Sequence, residues 1–220
     1  MDYWPRHLFP AMDVRWRLQN RVISGGMPVI GPARAVGTIG AGLWVCEMTG
    51  IWLYRPEQLK AARALDMILD GGLTSLVVGS CETALAPWAV PTDPVPHSDG
   101  SPFSDETLYA GAAPTGTVVA AAALRATSLQ IELPTGATLT GGEAFSIRHP
   151  NKGERRYQVA RVNGDVVTFR PELREAVTGG TEVHFADVGC VMRLANPDEF
   201  LSAIRAGATA DLAPVFVEAF

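Results

Sequence analysis

Near the start of the chain, Met12, Val14, Trp16 and Leu18 alternate with Asp13, Arg15, Arg17 and Gln19. A period of two gives one apolar and one charged face, which predicts a half-buried strand. Gly25, Gly26, Pro28, Gly31 and Pro32 mark a loop after it. A longer strand is expected over residues 43–54, with Trp44, Val45, Ile51, Trp52 and Leu53, and Gly50 is placed to bulge it. The period then becomes helical. Leu59, Ala62, Leu65 and Leu69 recur along residues 56–70, and Ile68 widens that stripe. Pro56 suits the first helical position, where its missing N–H costs nothing. Gly71 and Gly72 accept the left-handed conformation that ends a helix. Leu76, Val77 and Val78 read as a short buried strand.

From residue 84 to 114 no period survives. Pro87, Pro91, Pro94, Pro96 and Pro102 interrupt the segment, which reads as a functional loop or an interdomain connection. Short apolar runs resume near Thr117 and recur around Leu124, Ile131, Ile147, Val159 and Val167. Their separators are turn residues, and Asn163-Gly164 suits a two-residue hairpin. Residues 171–177 read as one helical turn. Residues 182–185 and 190–194 read as the last strands of this set. Six or so strands in about 80 residues predict a small barrel or sandwich. Residues 213–220 alternate again and read as a strand that pairs with the first β-rich region. The domains expected are therefore residues 1–86 with 206–220, a Pro-rich connection over 87–115, and a second small β domain over 116–205.

Composition narrows the function classes. With 47% hydrophobic and only 19% charged residues, the chain is not of the disordered class. The 22 glycines and 16 prolines favour turns over helices. A net charge of −5 argues against nucleic-acid binding, which needs a basic face to release counterions. Cys46, Cys81 and Cys190 are odd in number and far apart, so neither a disulfide framework nor a zinc site is expected. The N-terminus has no basic and apolar regions of a signal peptide. No run of about 18 apolar residues occurs, so no transmembrane helix is expected. A soluble protein made in the cytoplasm is the default.

Candidate chemistry is sparse. Pro96-His97-Ser98-Asp99-Gly100 sets His, Ser and Asp side by side, but neighbours in sequence do not converge on one reacting atom. A turn held by the Asp99 and Ser98 side chains is the better reading. His7, His97, His149 and His184 include no pair at metal-ligand spacing. Gly37, Gly40 and Gly42 lack the preceding strand and following helix of a phosphate loop. Arg148, Lys152, Arg155, Arg156 and Arg161 form a basic group that reads as a solvated hairpin edge. Trp16 and Trp44 fit core faces. Trp4, between Tyr3 and Pro5, lies on an N-terminal arm, and both core and subunit docking stay open for it. No catalytic, cofactor-binding or metal residue is expected, and no cofactor.

Several stretches, taken in order, resemble a family of tail proteins of long-tailed phages and prophages. They are residues 13–17, the Gly-rich 24–42, the Trp-containing 43–54, the helix 56–72 and the strand 76–78. Further along they are 94–99 with 103–105, 145–147 with 156–159, and most clearly 167–177 continuing to 190–194. The resemblance covers most of the chain and implies a protein similar to distal tail proteins, which sit at the tail tip or baseplate. It implies a mainly β fold, with a β-sandwich belt-like domain carrying one α-helix plus a second small β-barrel-like module. It also implies a structural virion component, a homo-oligomeric and hexameric ring joining the tail tube to the tip. The partners implied are further copies of the chain, the tail tube protein and the baseplate hub or other tip proteins. Neither specific nucleic-acid binding nor membrane insertion is implied, and the location is the virion tail. Tyr3, Trp4, Pro5, Trp88, Pro96 and His97 are the candidate assembly contacts, on the arm and in the Pro-rich loop. One alternative is a host-surface or carbohydrate-binding module in the second domain. A hydrolase using His97, Asp99 or Cys190 ranks below both.

Overall fold

The alternating run forms β1 (Asp13–Gln19) in the computed structural model of the chain, which describes residues 2–19, 22–24, 35–37, 42–81, 84–87, 97, 99–106, 115–205 and 209–220. β2 (Val22–Ser24) and β3 (Ala35–Gly37) pair antiparallel as a two-stranded ribbon. β4 (Leu43–Thr49) returns along β1, with Asp13 opposite Thr49 and Gln19 opposite Leu43. Gly50 does more than bulge a strand. At φ +71° it breaks the expected strand in two, and β5 (Ile51–Leu53) leaves the sheet of β4 to pair elsewhere.

α1 (Pro56–Leu69) begins with Pro56 as expected. The Gln58 Oε1 accepts the backbone N–H groups of Tyr54 and Arg55, and its Nε2 donates to the Leu8 carbonyl at 2.9 Å. One buried side chain thus caps the helix and ties down residues preceding β1. The helix buries Leu59, Ala62 and Leu69, but Ile68 is half exposed rather than part of the buried stripe. Asp70 takes the left-handed conformation that closes the helix, and Gly71 and Gly72 continue at positive φ into β6 (Ser75–Cys81).

Two compact units emerge, Met1–Gly79 with Cys190–Phe220, and Ser80–Gly189. The second unit contains β7 (Thr115–Val118), β8 (Ser128–Glu132), β9 (Ala144–His149), β10 (Gly153–Asn163), β11 (Val166–Arg170) and β12 (Glu182–His184). They close a barrel in the order β10-β11-β8-β7-β12-β9, with antiparallel neighbours throughout. Closure removes the free edges that a small open sheet would leave. Phe145 is fully buried in the barrel core, with Tyr157, Phe169 and Phe185 centred 5.4, 5.5 and 6.0 Å away. The β10–β11 turn centres on Gly164 and Asp165, one residue past the expected pair, because Asn163 still pairs with Val166. Gly164 supplies φ +62° at the first central position. Residues 171–177 are not helical. Leu173 and Val177 exchange backbone hydrogen bonds with residues 122–126 instead, and both are buried.

β13 (Asp187–Leu194) corrects the expected domain boundary. It enters the first unit at Cys190, so the second unit ends at 189 rather than 205. Val191 and Met192 are both buried, so the strand is covered on both faces, and such a strand has no period that says which sheet it joins. β14 (Ala210–Leu212) pairs with β5, and β15 (Val215–Glu218) lies between β4 and β13. The first unit is therefore a five-stranded sheet, order β1-β4-β15-β13-β6, and a second layer of β5–β14 and α1. Trp44, Cys46 and Met48 of β4, Met192 of β13 and Phe216 of β15 meet the helix residues in one core. Most of the Pro-rich connection expected over 87–115 lies outside the described residues.

Candidate functional site

The candidate assembly residues separate. Tyr3 forms a parallel bridge to Val77, so the N-terminal residues lie along the outer edge of β6. Its side chain is exposed and Pro5 is half-buried. Trp4 is not on a free arm. It is 4% exposed, and its ring sits 5.4 Å from Phe9 and 5.3 Å from Phe216. His97 is half-buried beside Phe103, with ring centres 4.6 Å apart. Trp88 and Pro96 lie outside the described residues.

The expected turn at His97 forms, with Gly100 N–H donating to the His97 carbonyl at 2.8 Å. Asp99 accepts the Ser101 hydroxyl at 2.6 Å and the Ser101 backbone N–H at 3.0 Å. The Ser101 hydroxyl is the main cause holding the Asp99 carboxyl below its ordinary range. Ser98 lies outside the described residues. Cys190 is buried in the core of the first unit. Among the described residues no three His, Cys, Asp or Glu side chains gather to hold a metal ion, and no helix is long and apolar enough to cross a membrane.

The two edges of the five-stranded sheet differ. The β6 edge takes up the chain's own N-terminus, where Trp4 N–H donates to Val77 O at 2.9 Å and Val77 N–H to Asp2 O at 2.8 Å. At the other edge, β1 pairs with β4 on one side and with no described strand on the other. Its outward residues are charged. Arg17 Nε lies 2.9 Å from Glu47, and Arg15 is 4.0 Å from the same carboxylate. Met12, just before β1, is exposed, as are Trp52 and Tyr54 on and beyond β5. The exposure of Trp52 and Tyr54 is not legible in the sequence, because residues 51–54 are apolar throughout and no period says which pair faces outward.

Sequence reasoning missed the buried polar groups of the barrel. Arg155 and Arg156 belong to the basic group expected at a solvated edge, yet both are buried. Arg156 Nη1 donates to the Ser80 hydroxyl at 2.6 Å. Arg155 shares a strand face with Tyr157 and Val159, so the inward alternation of β10 sets its position. His149 is also buried, its Nε2 2.8 Å from the Tyr157 hydroxyl, which accepts the Arg174 N–H at 3.1 Å. The adjoining turn hangs on Glu175, whose carboxylate accepts the backbone N–H groups of Asn151 and Lys152, both at 3.1 Å. Glu143 is held below the ordinary carboxyl range although burial pushes it upward, because Thr140 and Gly141 donate to it.

Burial pushes the His149 pKa from 6.5 down to about 4, opposed by the Glu175 carboxylate and helped by the Arg155 guanidinium. The Nδ1 atom is buried with no hydrogen-bond partner among the described residues, so a second ring proton would be enclosed there. Below pH 6.5 the unfolded chain takes up a proton at this residue that the folded chain refuses. Stability from this group is therefore complete above pH 6.5 and falls as the pH drops towards 4. Between pH 7 and 5 the loss is about 2 kcal/mol. Urea unfolding should show His149→Gln losing less stability than wild type over that interval, by about this amount. Equal losses would contradict the buried neutral ring.

The barrel also carries an open groove of about 420 Å³ between residues 133–139 and the β10–β11 hairpin. Ile131, Leu133, Leu139 and Val162 form its apolar lining, and Glu132 and Asp165 bring carboxylates. Gln130 Nε2 donates to the Asp165 carboxylate. Among the described residues no aromatic ring lines the groove.

No protein-family model matches the chain, and no curated protein matches it.

Proposed function

We propose that this chain is a structural subunit of the tail tip or baseplate of a long-tailed phage or prophage. Copies assemble into a ring, hexameric as the resemblance implies, between the tail tube protein and the hub or other tip proteins. It is made in the host cytoplasm and resides in the virion tail. The reading assigns the chain no catalytic role, no specific nucleic-acid binding and no membrane insertion. The observation that carries it is the unequal pair of sheet edges. A seven-residue edge strand with no described strand on its outer side invites pairing with another chain, while the chain's own N-terminal residues occupy the opposite edge. The host-surface reading would rest on the barrel groove, whose lining does not favour it over assembly. Deleting the coding sequence from the phage or prophage that carries it should give particles without functional tails, restored by the wild-type gene in trans. Normal, infectious tails from the deletion would overturn the proposal.

A further inference from the structure

The two ends of β10 meet different surroundings in the barrel. At the β9–β10 end, buried polar side chains finish the core. His149 meets the Tyr157 hydroxyl there, and that hydroxyl accepts the Arg174 N–H. At the β10–β11 end lies the open groove of about 420 Å³. Ile131 and Val167 reach it from the barrel core, where both are buried. Leu133, Leu139 and Val162 also line it, and each packs on that core while staying only partly buried. Water therefore meets core side chains at this end. A barrel mouth with a mostly apolar lining and a few polar groups has the composition of a binding site.

The charged groups of the lining have one sign. Glu132 and Asp165 are acidic and exposed, and among the described residues the lining holds no Lys, Arg or His. Ile131 N–H donates to the Asp165 carbonyl at 3.1 Å, which sets Asp165 across from the residue next to Glu132. Both acids thus belong to one stretch of the rim. Gln130 donates to the Asp165 carboxylate, and a neutral amide orients that charge without cancelling it. An apolar trough under two carboxylates matches an aliphatic group carried beside a cation. The trough is open, whereas pockets for small molecules bury roughly 70–90% of the ligand. A segment held in place by its own protein needs no such enclosure.

We propose that this barrel mouth docks an extended segment of a second, different protein, in which aliphatic side chains alternate with lysine or arginine. The aliphatic side chains enter the groove. The long basic side chains run along its apolar walls and bring their charges to Glu132 and Asp165. Further copies of this chain are the poorer match, because each carries a net charge of −5 to an acidic rim. The proposal concerns the barrel alone and does not depend on the ring reading.

The probe is an acetylated, amidated peptide of about six residues, leucine alternating with lysine so that each kind holds one face. It is titrated into the full-length protein and followed by calorimetry. Saturable binding is expected below about 1 mM, and changing the leucines to serine or the lysines to glutamate should each weaken it at least about tenfold. Glu132→Lys should cut the preference for the lysine peptide over the glutamate peptide at least about tenfold. Glu132 is exposed, so the fold should survive, which circular dichroism checks. Absence of saturable binding, or an unchanged preference in Glu132→Lys, would overturn the proposal. So would a serine peptide that binds as well as the leucine peptide, which would reduce the effect to net charge. Equal binding of hexylamine would make this a small-molecule site instead. Loss of self-association on adding the peptide, read by light scattering, would give the groove to a second copy and overturn the proposal as well.

Discussion

Trp4→Ala should lower the stability of the first unit by about 3–5 kcal/mol, whereas Tyr3→Ala beside it should change stability by less than about 0.5 kcal/mol. The two residues are neighbours with opposite environments, Trp4 at 4% exposure and Tyr3 at 57%. The Trp4 ring is enclosed by Phe9, Phe200 and Phe216, with the Phe200 and Phe216 rings edge-on at 6.5 and 5.3 Å. Those rings belong to different segments and cannot all collapse into the space an alanine leaves, so the cavity persists. Urea unfolding followed by far-ultraviolet circular dichroism measures the effect. A docking arm would give the reverse result, with assembly lost and the subunit's stability unchanged.

Gly72→Ala should cost about 3 kcal/mol or more, and Gly71→Ala about 1 kcal/mol. Both glycines have positive φ, +59° at Gly71 and +90° at Gly72, so both substitutions strain the backbone. Only Gly72 adds a collision. Its Cβ would lie 2.3 Å from the Leu194 carbonyl oxygen, while a Cβ at Gly71 meets nothing within 4 Å. Leu194 ends β13, an interior strand of the five-stranded sheet, so relief requires moving backbone in the core. Thermal unfolding of the two variants separates the terms. Equal melting temperatures would show that the helix exit tolerates displacement from β13.

The elements that were legible in the sequence are those whose signal is local. β1 and β15 show their alternation, α1 shows its proline start and glycine stop, and the barrel strands are separated by turn residues. Apart from the one-residue shift of the β10–β11 turn, the errors are non-local. Trp4 sits beside Pro5 in an N-terminal segment that reads as an arm, and it is Phe200 and Phe216, about 200 residues on, that complete a core around it with Phe9. β13 is apolar on both faces, so its pattern is silent about whether it joins the barrel or the sheet. Gly50 announces irregularity, but only pairing with β14 shows that the chain changes sheets there. Arg155 and Arg156 are charged and adjacent, which argues for solvent; the inward alternation of β10 and the Ser80 hydroxyl place them otherwise. The exposure of Trp52 and Tyr54 does not follow from the sequence either, because residues 51–54 are apolar throughout and no period says which pair faces outward. Nor does that of Ile68, because a widened helical stripe looks the same whether its margin is covered or open.

The proposed ring requires self-association of a β-rich unit whose sheet has no described strand on the outer side of β1. The most direct test is the mass of the purified full-length protein by light scattering, with images of the same sample by negative stain. The result expected is a ring of about 140 kDa, six times the 23.4 kDa of one chain, closed by a single repeated contact. A protein that stays at the mass of one chain, or stops at two, would contradict it.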